Sequence, residues 1–437
     1  MHPSNQIRGR RSQLLRGRRI VLGVSGSIAA VEVPRIVREL IRHGAEVEAV
    51  MSSEATRIIT ADAIRFATGH PPVLQLTGDV EHVSLIGSGE TRADLLLLAP
   101  ATANTISKIA QGIDDTPVTS SASVALGAGV PIMIAPAMHA SMGKNPAVRE
   151  NLERLRSWGV EVVASQSAEG EEKLASPEEI AARVLHRLAT GPWANRRVIV
   201  IAGASRQSLD DVRSITNESS GATGVALAVQ AFYRGAEVEL WAGALQVPVP
   251  GFLHVTAWRS VEELLALVRA QRSSLRRAAA VLVPAAVADF SVKPIPGKIS
   301  SRDRSEWTIH LHRVPKVLPE LRRRAPPPTL VVGFKLEARE ALDHLESEGR
   351  RLLAESGADV VVANSRSSMG GGTWSGLVLT ASGTKHPLQG EKFEVAGKLL
   401  DDLGRDIRAF GKPSRSKTRR ARSRHSSSKR GSSSPTS

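Results

Sequence analysis

The chain has 437 residues, 41% of them hydrophobic, no cysteine and a formal net charge of +15. That length supports two or three domains with complete cores, and no apolar run approaches the ~18 residues that a membrane span needs. The lack of cysteine excludes disulfides, thiolate metal sites and a cysteine nucleophile, and fits a reducing cytoplasm or a hot one.

Residues 1–17 read as a disordered basic arm. Residues 1–19 hold six arginines and no acid, and they lack the apolar core of a signal peptide. Strands are predicted over 18–25, 45–52, 93–100, 130–136 and 160–165, each a near-continuous apolar run with amphipathic helical segments between. That alternation implies a parallel sheet covered on both faces. A helix over 176–189 opens with "SPEE", placing Ser176 at N-cap, Pro177 at N1 and Glu179 at N3 as a capping box.

After a short linker, "ATGPWANRR" (189–197), the pattern restarts. "RRVIVIAGAS" (196–205) echoes "RRIVLGVSGS" (18–27), and "RGAEVELW" (234–241) echoes "HGAEVEAV" (43–50). The fold class expected is therefore α/β, with two tandem Rossmann-like modules. Further strands are predicted at 278–290, 308–314, 329–336, 358–365 and 375–382. A last helix over 392–410 repeats Val395, Leu399, Leu403 and Ile407 at four-residue spacing, one buried face. The Ser/Arg-rich tail 412–437 holds nine cations and no acid, and its composition predicts disorder. It is either a solubilising extension or an attachment to RNA or another polyanion. With the six arginines of residues 1–19 it carries the whole net charge, so the body between is formally neutral.

Ligands of open α/β sheets sit beyond the carboxyl ends of the strands, so the strand ends carry the candidate chemistry. "GVSGSIAA" (23–30) is either a phosphate-holding turn, with Ser25 and Ser27 beside free helix amides, or an ordinary tight βα turn. Its spacing is not that of the dinucleotide fingerprint. "LLAPATANTISK" (97–108) offers Thr102, Asn104, Thr105 and Ser107, or simple capping by Asn104. His82, in "VEHVSL", is a candidate general base, since histidine carries protons near neutral pH. "APAMHASMGKN" (135–145) places Met138 and Met142, polarisable fillers suited to an aromatic plane, beside His139 and Asn145. In the second half the long polar loop 203–224 carries Arg213 and Asn217. "AAVADFSVKPIPGKISS" (285–301) offers Asp289, Lys293 and Lys298, a set suited to magnesium and a triphosphate.

In this order the motifs resemble the bifunctional coenzyme A biosynthesis family, in which phosphopantothenoylcysteine decarboxylase is fused to phosphopantothenate–cysteine ligase. The resemblance runs from about residue 18 to about 410. It implies a flavodoxin-like decarboxylase domain over 18–190 and a ligase domain over 191–411. It further implies FMN held by Gly26, Ser27, Ser52, Thr102 and Asn104, with His82 as the active-site base. Met138, His139 and Met142 would hold the substrate, since "PAMHASM" matches the family's PAMN-x-x-M with histidine for asparagine. The flavin would give the departing carboxylate its electron sink. "DDVRSITNESSG" (210–221) matches D-x-V-R-x-I-S-N-x-S-S-G, and Asn217 would turn over an acyl-cytidylate formed from CTP and 4'-phosphopantothenate before cysteine attacks. Lys298 would stabilise phosphate charge. Ala285, Asp289, Lys298, Pro315 and Phe334 would line the CTP site, with Asp289 on Mg2+. The family further suggests a cytoplasmic homo-oligomer, up to a dodecamer. Three departures stand out: residues 165–180 lack the family's flap cysteine, "SSGATG" replaces SSGKMG, and Arg350 and Arg351 lie near the place of a lysine pair. A ligase with an impaired decarboxylase, and a non-catalytic flavoprotein or regulatory subunit with nucleic-acid-binding tails, are the alternatives these departures leave open.

Overall fold

The computed structural model describes residues 2–87, 92–164, 166–168, 171–300, 302, 305–369 and 372–410. The tail assigned to 412–437 lies outside them. The first half is built on five parallel strands: β1 (Arg19–Val24), β2 (Glu46–Met51), β3 (Leu95–Ala101), β4 (Ile132–Pro136) and β5 (Glu161–Val162). Their spatial order is β2-β1-β3-β4-β5. This is the flavodoxin-like order, with its switch point between β1 and β3. Alternate side chains serve opposite faces, as the strand period of two requires. Ile20, Leu22 and Val24 of β1 join one buried cluster, and Val21 joins the other. Two apolar faces explain why the strands read as unbroken hydrophobic runs.

The amino-terminal arm is corrected. Instead of a disordered extension, residues 2–18 dock on the first half. A short helix α1 (Pro3–Ile7) leads into a segment that lies along the end of α2 (Val33–Arg42). The Gly9, Arg11 and Leu15 amides each donate 2.9 Å bonds to the carbonyls of Ile41, Arg42 and His43. Arg11 pairs with the buried Glu39, and Leu15 is fully buried. Counting charge missed this because Leu14 and Leu15 supply the anchor and the arginines only rim it. Leu15→Ala should cost about 2–5 kcal/mol, the usual loss for emptying a buried leucine site. Urea unfolding measures it, and a loss below about 0.5 kcal/mol, the range of ordinary surface changes, would mean the arm is not anchored there.

Further helices of the first half include α3 (Ala103–Ala110), α4 (Pro117–Ala128), α5 (Pro146–Ser157) and α6 (Pro177–Leu188). Ser176 caps α6 by accepting from the Glu179 amide at 3.1 Å. The reciprocal half of the expected capping box is not made; Glu179 lies 3.9 Å from Arg183 instead. The linker is anchored rather than loose: Trp193 is buried and its indole donates to the Leu400 carbonyl at 2.9 Å.

The main sheet of the second half has eight strands: β6 (Arg197–Ala202), β7 (Glu237–Ala242), β8 (His254–Ala257), β9 (Ala280–Val283), β10 (Leu330–Glu337), β11 (Val360–Ser365), β12 (Thr373–Thr380) and β13 (Lys385–Glu391). They stand in the order β8-β7-β6-β9-β10-β11-β12-β13, parallel as far as β11, with β12 and β13 added antiparallel. The switch point is between β6 and β9. Val198, Val200 and Ala202 face one core, Ile199 and Ile201 the other. Two helices, α7 (Ala222–Tyr233) and α8 (Lys392–Phe410), pack together over the first of these cores. The strand expected over 308–314 is reduced to His312–Arg313, which pairs with Phe290–Ser291 outside the main sheet. No helix among the described residues is long and apolar enough to cross a membrane.

Candidate functional site

Each half brings its loops together at a switch point, and in each a buried serine joins the two strand ends. In the first half Ser25 donates its hydroxyl proton to the Pro100 carbonyl at 2.7 Å and accepts from the Thr102 amide at 3.0 Å. Both roles are structural, so Ser25 is withdrawn as a phosphate ligand. Beside it a Cβ built on Gly26 would lie 2.4 Å from the Glu54 Cβ and 3.1 Å from its backbone carbon, so the loop is packed too closely for any side chain there. Ser27 starts a short 3-10 turn (Ile28–Glu32) and accepts from the Ala29 amide at 3.4 Å. Ser52 is buried and caps the turn after β2, accepting from Ala55 at 3.3 Å.

Past β3, α3 is capped by Thr102, whose hydroxyl accepts from the Thr105 amide at 3.2 Å. Asn104, the alternative cap, is exposed with no hydrogen bond among the described residues. Ser107 is committed to Asn151, which donates to it at 3.1 Å. Past β4 the chain forms Met138–His139, which pairs antiparallel with Glu171–Lys173, itself paired with Gln166–Ala168. The flap therefore adds a small sheet to the loop carrying the two methionines. Met138 is partly buried and Met142 is half exposed. His139 caps the following turn, its Nδ1 accepting from the Ser141 amide at 3.2 Å and meeting the Ser141 hydroxyl at 2.8 Å. Asn145 caps α5 in the same way, accepting from Ala147 at 2.9 Å.

His82 stands on a helical turn, Glu81–Ile86, ahead of β3. Its Nδ1 is buried with no hydrogen-bond partner. An orphaned buried nitrogen costs about 1–3 kcal/mol, which a ligand or substrate would relieve. The glycine held close at the β1 turn and the free Asn104 fit a phosphorylated, planar ligand at the β1/β3 edge, and the His82 nitrogen is left open to a substrate. Gly26, Ser27, Ser52 and Thr102, expected together at a flavin, stand at the carboxyl ends of β1, β2 and β3, where three of them already serve backbone amides.

In the second half the β6 and β9 ends are joined by Ser205. It is fully buried, donates its amide to the Ala286 carbonyl at 3.2 Å and accepts from the Ala288 amide at 2.9 Å. Asn217 donates its side-chain amide to the same Ala286 carbonyl at 3.2 Å. Around this point lies a cavity of 530 Å³. That is ample for a small ligand. Its wall includes the 218–224 loop, Pro284–Ala286, Phe334, Asn364, Trp374 and Lys392. α7 opens there behind Gly221 at φ 75°, which offers no side-chain cap, while the Ser220 hydroxyl accepts from the Ala222 amide at 3.3 Å. A residue with a side chain is strained in that left-handed region.

Ala285 and Phe334 line this cavity. Asp289, Lys298 and Pro315 are not among its lining residues. Asp289 is about half exposed and pairs with Lys316 at 2.5 Å. Among the described residues no three His, Asp or Glu side chains lie together as a metal set. Asp289 therefore stands in no preformed carboxylate cage, and a Mg2+ there would have to arrive on the nucleotide's phosphates. Lys298 is exposed on a segment held by the "DDVR" motif. Asp210 accepts from the Val212, Arg213 and Ile299 amides, and Asp211 from the Gly297 amide at 3.0 Å. Burial pushes the Asp210 carboxyl up, but those amides and the Arg213 guanidinium outweigh it and hold it below the usual range. Arg213 also lies over the Trp307 ring at 5.7 Å, so it works as a brace. Arg350 and Arg351 are paired with Glu346 and Glu348 of their own helix and do not line the cavity. Lys392, Trp374 and Asn364 were missed, although a lysine opening a helix, against the helix dipole, was a visible signal.

Residues 8–189 match the Flavoprotein family model, and residues 193–406 match that of the DNA/pantothenate metabolism flavoprotein C-terminal domain. The chain is similar to the coenzyme A biosynthesis bifunctional protein CoaBC of Thermococcus kodakarensis, 42% identical over 405 residues, covering 92% of this chain and 99% of that protein. It is similar to the protein of the same name from Methanocaldococcus jannaschii, at 31% identity, 94% of this chain and 99% of that one. Among solved structures it resembles the FMN-dependent cysteine decarboxylase SpaF, 33% identical over 40% of this chain and 99% of that one, with a TM-score of 0.35.

Proposed function

The chain belongs to the family of bifunctional coenzyme A biosynthesis proteins and carries its two activities, phosphopantothenate–cysteine ligation and phosphopantothenoylcysteine decarboxylation; on that premise we propose how its residues divide the work. The decarboxylase occupies the first half and the ligase the second. The observation that carries the ligase assignment is the 530 Å³ cavity at the β6/β9 switch point, with the start of α7 in its wall. A helix start favours a phosphate. CTP fills this cavity with its base side toward Phe334 and its phosphates toward the 218–224 loop. Asn217, tied to the Ala286 carbonyl, sits between the two strand ends where the acyl-cytidylate is handled. Lys298, exposed on the segment braced by Asp210, reaches the phosphates from outside the cavity lining.

In the first half the strand ends at β1, β2 and β3 hold FMN. Gly26 lets its loop pack closely on the β2 end, and the exposed Asn104 amide meets the flavin. Bound flavin supplies the redox step that gives the departing carboxylate an electron sink. Met138 and Met142 pack the substrate, His139 hydrogen-bonds it, and His82 moves the proton. The flap seats on Met138–His139 and excludes water. The chain contains no cysteine, so the proton that closes the reaction comes from another acid. Ile28 and Val31 are exposed beside the flavin loop and suit assembly with further copies of the chain, in the cytoplasm.

The test is the coupled conversion of 4'-phosphopantothenate, cysteine and CTP to 4'-phosphopantetheine by purified, flavin-loaded protein, with ATP in a parallel reaction. Pyrophosphate release that needs both co-substrates, followed by CO2 release, is expected. Ligation without CO2 would leave the first half inactive. Equal rates with ATP would remove CTP as the preferred nucleotide.

A further inference from the structure

The ligase cavity has two cations among its lining residues, Arg366 and Lys392. Arg366 is exposed and lies 3.6 Å from Glu218. Lys392 has no ion-pair or hydrogen-bond partner for its ammonium among the described residues. Burial alone pushes that ammonium below its usual range; no carboxylate offsets the cost. Lys392 and Thr223, in the first turn of α7, also line together a smaller space that adjoins the Phe334 and Trp374 side chains. The lysine therefore stands on the same wall as the start of α7.

The packing of the two helices makes this position electrostatically unfavourable unless an anion completes it. Gln230 of α7 donates to the Phe393 carbonyl at 3.1 Å, and Arg234, four residues on, reaches the Gly397 carbonyl and Asp401. Both helices thus advance in the same direction, and their positive ends lie toward the cavity. Lys392 adds a full charge as the first residue of α8. Glu394, the acid of that first turn, is turned elsewhere: a Cβ built on Gly390 would lie 3.4 Å from its Oε2 and 3.6 Å from Lys398 Nζ. The start of α7 and the unpaired Lys392 share one wall, with the start of α8 set back along α7 opposite Gln230, and that wall has no acid except Glu218, which faces Arg366.

We propose that Lys392 binds a phosphate group in this cavity, beside the start of α7. The inference rests on the ligase reading and adds to it the residue that supplies the positive charge. The phosphate belongs either to the nucleotide or to 4'-phosphopantothenate, and the experiment separates them. Full-length Lys392→Ala and Lys392→Arg are titrated with CTP, cytidine and 4'-phosphopantothenate by calorimetry, and KM and kcat are measured for each substrate.

Lys392→Ala is expected to weaken one phosphorylated ligand by about tenfold or more, the loss of one charge-assisted hydrogen bond. Loss confined to CTP assigns the nucleotide phosphates; loss confined to 4'-phosphopantothenate assigns the acyl substrate. Cytidine affinity should stay within about twofold, and kcat at saturation should be retained, because the effect is on ground-state binding. Lys392→Arg should recover most of the affinity, which a packing role would not. Unchanged affinity of Lys392→Ala for both phosphorylated ligands overturns the proposal, as does an equal loss of cytidine. Wild-type protein that binds neither ligand overturns the ligase reading itself, and this inference with it.

Discussion

Replacing His82 by asparagine is expected to lower CO2 release from phosphopantothenoylcysteine by about 10²–10⁴-fold, the usual contribution of a positioned acid–base group. Ligation of cysteine with CTP should continue at the wild-type rate, because the ligase cavity is lined wholly from the second half of the chain. The neighbours of the imidazole single it out as the base. Glu81 precedes it on the same helical turn, but its carboxylate is taken: it accepts from the Thr77 hydroxyl at 2.6 Å and from the Thr77 amide at 2.9 Å. Those bonds hold it below the usual carboxylate range, which makes it a poor base. The His82 Nδ1, in contrast, is buried and has nothing to bond. Asparagine keeps a polar group of similar size at that place but cannot carry a proton. Flavin content and melting temperature should therefore stay near wild type, which separates a lost base from a damaged fold. CO2 release at the wild-type rate by a flavin-loaded variant would remove His82 from the mechanism.

Legibility in the sequence depends on which forces have a local signature. β1, β3, β6 and β11 are covered on both faces, so apolar runs announce them and their parallel order. β8 and β13 left no such run. β13, "KHPLQGE", contains Pro387 and Gly390 and is largely exposed at the sheet edge, where pairing with β12 rather than composition makes it a strand. The amino-terminal arm was misjudged because charge outweighed two leucines in the count. At the sites, strand-end loops were legible because glycines and hydroxyls cluster there. Their division of labour was not. Ser25, Ser52 and Thr102 look alike in sequence, yet each is committed to a backbone amide that only tertiary packing brings near. Likewise, nothing local distinguishes Ala285, which lines the cavity, from Asp289, four residues on and turned to Lys316.

Gly224→Ala should lower kcat/KM for ligation by on the order of 10²-fold and leave decarboxylation of supplied phosphopantothenoylcysteine unchanged. Gly224 has an ordinary helical backbone, so conformational freedom is not the reason for glycine here. The reason is contact. A Cβ at this position would lie 2.3 Å from the Ala202 Cβ and 3.2 Å from its Cα, against the ~3.5–4.0 Å at which carbon atoms pack. Ala202 cannot retreat, because β6 lies between β7 and β9 inside the sheet. Hence α7 must move outward by about 1 Å, and its start, part of the cavity wall, moves with it; if that wall holds the nucleotide as proposed, a misplacement of that size is enough for the stated loss. Overpacking of this kind also costs about 1–3 kcal/mol of stability. The double variant Gly224→Ala with Ala202→Gly removes the opposing Cβ and should recover most of the ligation. Ala202→Gly alone should lose only about 0.5–1 kcal/mol of stability, the cost of glycine inside a strand. Rescue by the double variant distinguishes a displaced helix from general damage. Ligation by Gly224→Ala within a few-fold of wild type would mean that the start of α7 does not position the nucleotide.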